Sequence, residues 1–509
     1  MRWLLFVCFL IVLSFFLLSH TSALPAAAEE SACTNNLYQV DGGNFWVGSV
    51  TAINRHGPVV VLVHGYSSSH LTWIGNNQAV QRACENGFRV TAVDLGPYES
   101  IWSNGALLKS KLEAIRAYYG VSSVNIMAHS KGGVDTQTAI VHYAAYPLVQ
   151  SYIAFGSPFG GTELANYACS WMGQLLGLCD SAVQTITTGY MSFVRSVTDG
   201  RPENDRVSGY LARGSECAFF PLSLGCLLIP GPDDSVIPTW SAYGTIEAEG
   251  ISDRADLNHV ELHYLQQYDP SIFSYLGNGT NHSVAERQLA TKVAPFFATS
   301  DYVMRGGELA GRVMEMVAVE AGVDAVTFRL LSNGAAHVVV VSPGGTRYGT
   351  QISRSEPDAI LRGVFHEVRI EQPEAGHWRV IATPGVRGKA DAYLLHAIYE
   401  GGVTVQLDAD LGRVYQPGSQ LPLAVTAEPR LVDATLDVSI RGAEMNQTVD
   451  EGREVPEGSH LALPSTSGIY HVDLHVTGTT IDGSTFERSI VTSIAVVDVS
   501  RVKDPATIR

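Results

Sequence analysis

Charge is scarce in this chain, and most of what there is has one sign. Of 509 residues only 16% are charged, with 33 basic residues against 50 acidic and a formal net charge of −17. No basic run interrupts that balance. A surface of this sign repels phosphate backbones and anionic bilayers, which excludes nucleic acid and acidic membranes as partners. Disorder is excluded as well, because 46% of the residues are hydrophobic, enough to fill well-buried cores. The length points to about two to four domains.

Long apolar runs are missing beyond the first twenty residues, so no later segment is expected to span a bilayer. The N-terminus, "MRWLLFVCFLIVLSFFLLSH", has one Arg, then apolar residues from Trp3 to Leu18 broken only by Ser14. The small-residue stretches "TSA" and "AAA" follow. This pattern predicts a signal peptide over 1–28, cut after Ala23 or Ala28, and a secreted protein. The competing reading is an uncleaved anchor that keeps the protein at the cell surface. No lipobox-like sequence precedes Cys33.

Cysteine is also sparse. Removing Cys8 with the signal leaves Cys33, Cys84, Cys169, Cys179, Cys217 and Cys226. An even number in an exported chain points to disulfides. The short spacings favour Cys169–Cys179 and Cys217–Cys226, which leaves Cys33–Cys84. There is no C-x-x-C and no His at ligand spacing, so no metal and no cofactor are expected.

From Pro58 to about Ala298, short β-branched runs alternate with helical patterns. "PVVVLVHG" (58–65), "FRVTAVDL" (88–95), "VSSVNIMA" (121–128) and "VQSYIAFG" (149–156) are apolar enough for strands buried on both faces. "SNGALLKSKLEAIRAYYG" and "GGVDTQTAIVHYAAYP" between them have helical spacing, with a Gly stop and a Pro stop. The fold class expected is therefore α/β, a parallel sheet flanked by helices, over residues 29–300. Ligands of such sheets bind beyond the C-terminal strand ends, where His64, Asp94, Ser130 and Ser157 all fall. The Trp-, Met- and Leu-rich stretch 169–194 belongs to a cap expected over about 165–215, whose apolar residues either face a lipid surface or pack inward.

After residue 300, short strand-like runs are separated by Gly/Pro/Asn turns. Two β-sandwich-like modules are expected, over 301–400 and 401–509. They could mediate contact with a cell surface or polymer. Asn278, Asn281 and Asn446 stand in N-x-S/T phrasing, which marks either glycosylation acceptors or turns.

The chemistry centres on "NIMAHSKGG" (125–133). A serine raised on a sharp strand-to-helix turn needs small residues two before and two after, and here they are Ala128 and Gly132. "VVVLVHGYSSS" can supply an oxyanion site from the backbone N–H groups of Tyr66 and of Lys131, the residue after the serine. In Lys131 the N–H matters and the side-chain charge is expected to be incidental. "CLLIPGPDDSVIP" reads as an apolar strand and a turn carrying an acid. Asp234, four before Pro238, is favoured, with Asp233 as the other choice. "RADLNHVELHY" places His259 in a polar loop, with His263 as the alternative inside a following helix.

These phrases, with "FGSPFGGTELA", resemble the α/β-hydrolase superfamily and, within it, secreted bacterial triacylglycerol lipases. The resemblance covers roughly half the chain. It implies a Ser130–His259–Asp234 triad acting on a lipid or other ester. Phe159 stands where that family usually has His. A short-chain esterase, an acyltransferase, or a binding protein with an inert hydrolase-like domain would share much of this sequence.

Overall fold

Fully buried β-branched runs set the centre of the molecule. The computed structural model describes residues 31–508 except 41, 43, 218–224, 244–248, 278–297, 356–358, 387–390, 429–430, 443–447 and 455–458. The segment expected to be a signal peptide, and Asn278, Asn281 and Asn446, lie outside the described residues. Eight strands follow along the chain: Tyr38–Gln39 (β1), Trp46–Val47 (β2), Val59–Val63 (β3), Arg89–Val93 (β4), Val124–His129 (β5), Val149–Phe155 (β6), Ser208–Gly214 (β7) and Glu249–Arg254 (β8). They hydrogen-bond in the order β1-β2-β4-β3-β5-β6-β7-β8. Strands β3 to β8 are parallel, and the short β1 and β2 add antiparallel at one edge.

Every residue of β3 and of β5 is buried, as continuous apolar strands in a two-sided parallel sheet require. Helices cover the faces: Ala79–Glu85 (α1), Ile101–Tyr119 (α2) and Lys131–His142 (α3). Ser100 caps α2 by accepting the Ser103 N–H, and Gly120 ends it at φ +64°. Between β6 and β7 lie Glu163–Cys169 (α4), Trp171–Leu175 (α5), Ser181–Thr185 (α6) and Thr188–Thr198 (α7).

Two expectations are corrected here. Residues 208–214, expected in the cap, form β7 in the main sheet, because Tyr210, Leu211 and Ala212 pair with β6 and are buried. The apolar phrase "CLLIP" is not a strand. Gly225–Leu228 forms a single helical turn, tied by the Cys217–Cys226 disulfide. All three disulfides match the pairs read from spacing: Cys33–Cys84, Cys169–Cys179 and Cys217–Cys226.

The C-terminal part is all β. A five-stranded sheet (Tyr302–Glu308, Ala392–Gly401, Val323–Ser332, Val364–Glu371, Gln351–Arg354) faces a four-stranded one across Phe328, Trp378 and Tyr399. A second pair of sheets encloses Leu421, Leu474, Phe486 and Ile494. Ala298–Ser300 pairs with Thr404–Asp408 in that second pair.

Met172 of α5, Val183 of α6, and Leu176 and Ile186 just after these two helices are buried. They share one apolar cluster with Tyr302, Met304, Leu331, Ile360, Leu361 and Phe365 of the β half. The apolar side of the cap is therefore buried against the β half. Helix α7 packs on Thr485–Val496, where the Gly189 N–H donates to Ser493 Oγ at 2.7 Å. A Cβ on Gly189 would lie 2.6 Å from the Ile494 backbone, so the contact needs glycine.

Candidate active site

Ser130 follows directly on β5 and caps α3 with φ 54° and ψ −133°. This is a sparsely populated conformation for a residue with a side chain, and the packing around it holds it there. A Cβ on Gly132 would sit 2.4 Å from the His64 carbonyl oxygen, and one on Gly133 would sit 2.1 Å from Ser157 Oγ. Small residues after the serine are thus a steric necessity. Ala128 is fully buried, and its methyl is accommodated.

The chain brings the other singled-out residues to this strand end. His259 Nε2 lies 3.0 Å from Ser130 Oγ, and His259 Nδ1 lies 2.9 Å from Asp234 Oδ2. Asp234 Oδ1 accepts the N–H groups of Val236 and Ile237 at 3.1 and 2.7 Å. Its own carbonyl accepts the His259 N–H at 2.7 Å. Asp233 turns away and accepts the Ser235 N–H at 2.6 Å. Burial pushes its carboxyl up to about 7, with the neighbouring Asp234 adding to the rise. Between the two acids, the geometry selects Asp234 as the partner of His259. His263 lies in the 3-10 turn Glu261–His263.

Gly65, the residue before Tyr66, stands against the serine, since a Cβ on Gly65 would be 2.7 Å from Ser130 Cβ. The Tyr66 ring is held from the cap and from the β half. Its hydroxyl donates to Asp180 Oδ2 at 2.8 Å, Arg362 Nη2 lies 3.3 Å from the same oxygen, and the guanidinium covers the Tyr66 ring at 5.5 Å. Among the described residues, one group could offer three metal ligands, Cys217, Cys226 and Asp233, and its two sulfurs are joined in a disulfide.

No family model matches this chain, and no curated protein does. Among solved structures, the Bacillus licheniformis lipase BlEst2 in propeptide form aligns over 89% of this chain and 97% of its own, with TM-score 0.71 and 24% identity. This chain has the α/β-hydrolase fold. The mature form of BlEst2 covers 45% of this chain and 96% of its own, at TM-score 0.41 and 27% identity. A metagenomic carboxyl esterase covers 47% of this chain and 76% of its own, at TM-score 0.34 and 16% identity.

Three features of this α/β-hydrolase fold escaped the sequence reading. The Lys131 side chain is not incidental. Its Nζ pairs with Asp135 Oδ1 at 2.8 Å with both side chains buried, and Asn104 Nδ2 donates to the other Asp135 oxygen at 2.9 Å. An amine one helical turn from an acid could have signalled this i,i+4 pair. His64 braces the loop before Tyr66: its Nδ1 lies 2.8 Å from the Gly65 carbonyl oxygen, and its Nε2 accepts the Leu95 N–H at 2.9 Å. Phe159 is fully buried under the Arg195 guanidinium, so it packs the wall and offers no polar atom.

Proposed function

We propose that this protein is a secreted serine ester hydrolase, a lipase that cleaves acylglycerols through Ser130, His259 and Asp234. The observation that carries the reading is the unbroken chain of short contacts from Ser130 through His259 to Asp234 at the C-terminal edge of a parallel sheet. His259 takes the Ser130 proton as the oxygen attacks the ester carbonyl. The backbone N–H groups of Tyr66 and Lys131 receive the developing oxyanion. Lys131 is the first residue of α3, so its N–H has no acceptor within the helix. The alcohol leaves with the proton from His259, and water then hydrolyses the acyl-enzyme by the reverse sequence of transfers.

Three disulfides fit an oxidising compartment and so support secretion. No helix of the described residues is long and apolar enough to cross a membrane. The substrate proposal rests on the apolar cluster to which Tyr66 belongs, with Leu164 and Ile229 in it and Val236 packed against it. Ile360, Leu361 and Arg362 of the β half pack onto this same region, and the similar Bacillus lipase was solved in a propeptide form. We therefore propose that the β half covers this apolar cluster in the full chain. The outward faces of the β modules stay available for cell-surface or polymer contact.

The test is hydrolysis of p-nitrophenyl esters of increasing chain length, with Ser130→Ala as control. Turnover that depends on Ser130 and extends to long chains once Arg362→Ala loosens the cover supports the proposal. Turnover confined to short soluble esters in both forms makes the protein an esterase, and equal rates in Ser130→Ala remove the reading altogether.

A further inference from the structure

His129 ends β5 and immediately precedes Ser130, so the nucleophile and this imidazole leave the same strand end. Its ring does not point to the reacting atoms. Nε2 lies 2.9 Å from the backbone carbonyl oxygen of His259. A carbonyl oxygen only accepts, so Nε2 bears the proton and donates. The N–H of His259 meanwhile donates to the Asp234 carbonyl at 2.7 Å. The base is thus clamped through both of its backbone polar groups, one by its own acid and one by the neighbour of its nucleophile.

The clamp is itself braced. The His263 ring stacks on His129 with centroids 4.0 Å apart and planes at 27°. His263 Nε2 reaches the Thr72 hydroxyl at 2.9 Å and the Thr72 carbonyl at 3.2 Å, and the Trp73 ring meets His263 edge-on at 5.2 Å. Burial holds His129 well below the ordinary imidazole range and His263 down at about 3, so both rings stay uncharged. This matters because the His129 and His259 ring centroids are 4.8 Å apart, where a second cation would oppose formation of the His259 imidazolium.

We infer that His129 is a positioning residue for the hydrolysis, its Nε2–H holding the His259 backbone so that the imidazole stays within reach of Ser130. The inference rests on the proposed hydrolase reading. A shift of the reacting groups by about 1 Å costs up to about 100-fold in rate, so a loosened His259 loop is read directly in kcat.

The experiment uses the full chain, p-nitrophenyl acetate and three variants. His129→Leu fills the space without a donor, His129→Gln can place an amide N–H near the Nε2 position, and His129→Asn is too short to do so. Rates are counted per active site by titration with a fluorophosphonate, with Tm recorded for each protein. His129→Leu and His129→Asn are expected to lower kcat by about 10- to 100-fold with KM changed less than about twofold, and His129→Gln to recover most of the loss. Unchanged kcat in His129→Leu, or a Gln variant no better than Leu at equal Tm, overturns the inference. A wild-type chain that shows no Ser130-dependent turnover or labelling overturns the hydrolase reading instead, and does so before any His129 variant is compared.

Discussion

The His259 imidazole stands 3.0 Å from the Ser130 hydroxyl across 129 residues of sequence, and the Asp234 carboxylate fixes its other face at 2.9 Å. That geometry separates the two adjacent acids. Asp234→Asn should leave the fold intact and lower kcat on a short ester by about 10⁴-fold, because the amide favours the wrong imidazole tautomer. Asp233→Asn, whose Oδ1 still accepts the Ser235 N–H, should stay within about tenfold of wild type. Equal losses in both variants would contradict the assignment of the acid.

Lys131 and Asp135 form a buried pair in the first turn of α3. Lys131→Met leaves the carboxylate uncompensated and should cost about 3–5 kcal/mol in urea unfolding. Changing both, Lys131→Met with Asp135→Leu, should return much of that stability, since no buried charge is then left alone. A single variant as stable as wild type would show that the pair does not matter.

Acid sensitivity has a definite sign. Burial holds His263 and His396 at about 3 and His471 at about 4, against 6.5 for a free imidazole. Below pH 6.5 the unfolded chain therefore binds more protons than the folded one, and stability falls as the pH drops towards 4. His396→Phe removes one such group. Its stability should decline less steeply over this window, by up to about 1.4 kcal/mol per pH unit. Denaturant midpoints at pH 6.5, 5.5 and 4.5 that run parallel in both proteins would speak against a neutral His396.

Glu163 acts in the opposite direction. Burial raises it to about 8 from 4.5, and neither carboxylate oxygen finds a partner among the described residues. The folded chain then holds the extra proton, so this group lowers stability as the pH rises from about 4.5 to 8. Glu163→Gln should be more stable than wild type at pH 8, and the gap should close near pH 4.5. A gap independent of pH would rule out titration of Glu163 as its origin.

The Cys33–Cys84 bridge joins positions 51 apart in the chain. Replacing both cysteines with alanine should lower stability by about 4 kcal/mol, the loop-entropy value for that separation. The difference should vanish when both proteins are unfolded under reducing conditions.

The sequence by itself determined the parts in which local pattern and chemistry coincide. Val59–Val63 and Val124–His129 can only be two-sided strands, Ser130 needs Gly132 behind it, and the short cysteine spacings leave a single pair over. The order Ser, Asp, His was legible for the same reason. Strand β8 was not, because an edge strand such as Glu249–Arg254 needs no apolar run, and β7 was hidden inside a stretch read as cap. Asp234 was favoured over Asp233 from its spacing to Pro238, but only the tertiary structure shows the turn sending the two side chains apart, Asp234 to His259 and Asp233 to Ser235. It alone could pair Lys131 with Asp135 in a dry site, and set His129 under the carbonyl of His259. Those relations depend on distances between segments far apart in the chain, and on burial that turns a common side chain into a fixed, uncharged or fully paired one.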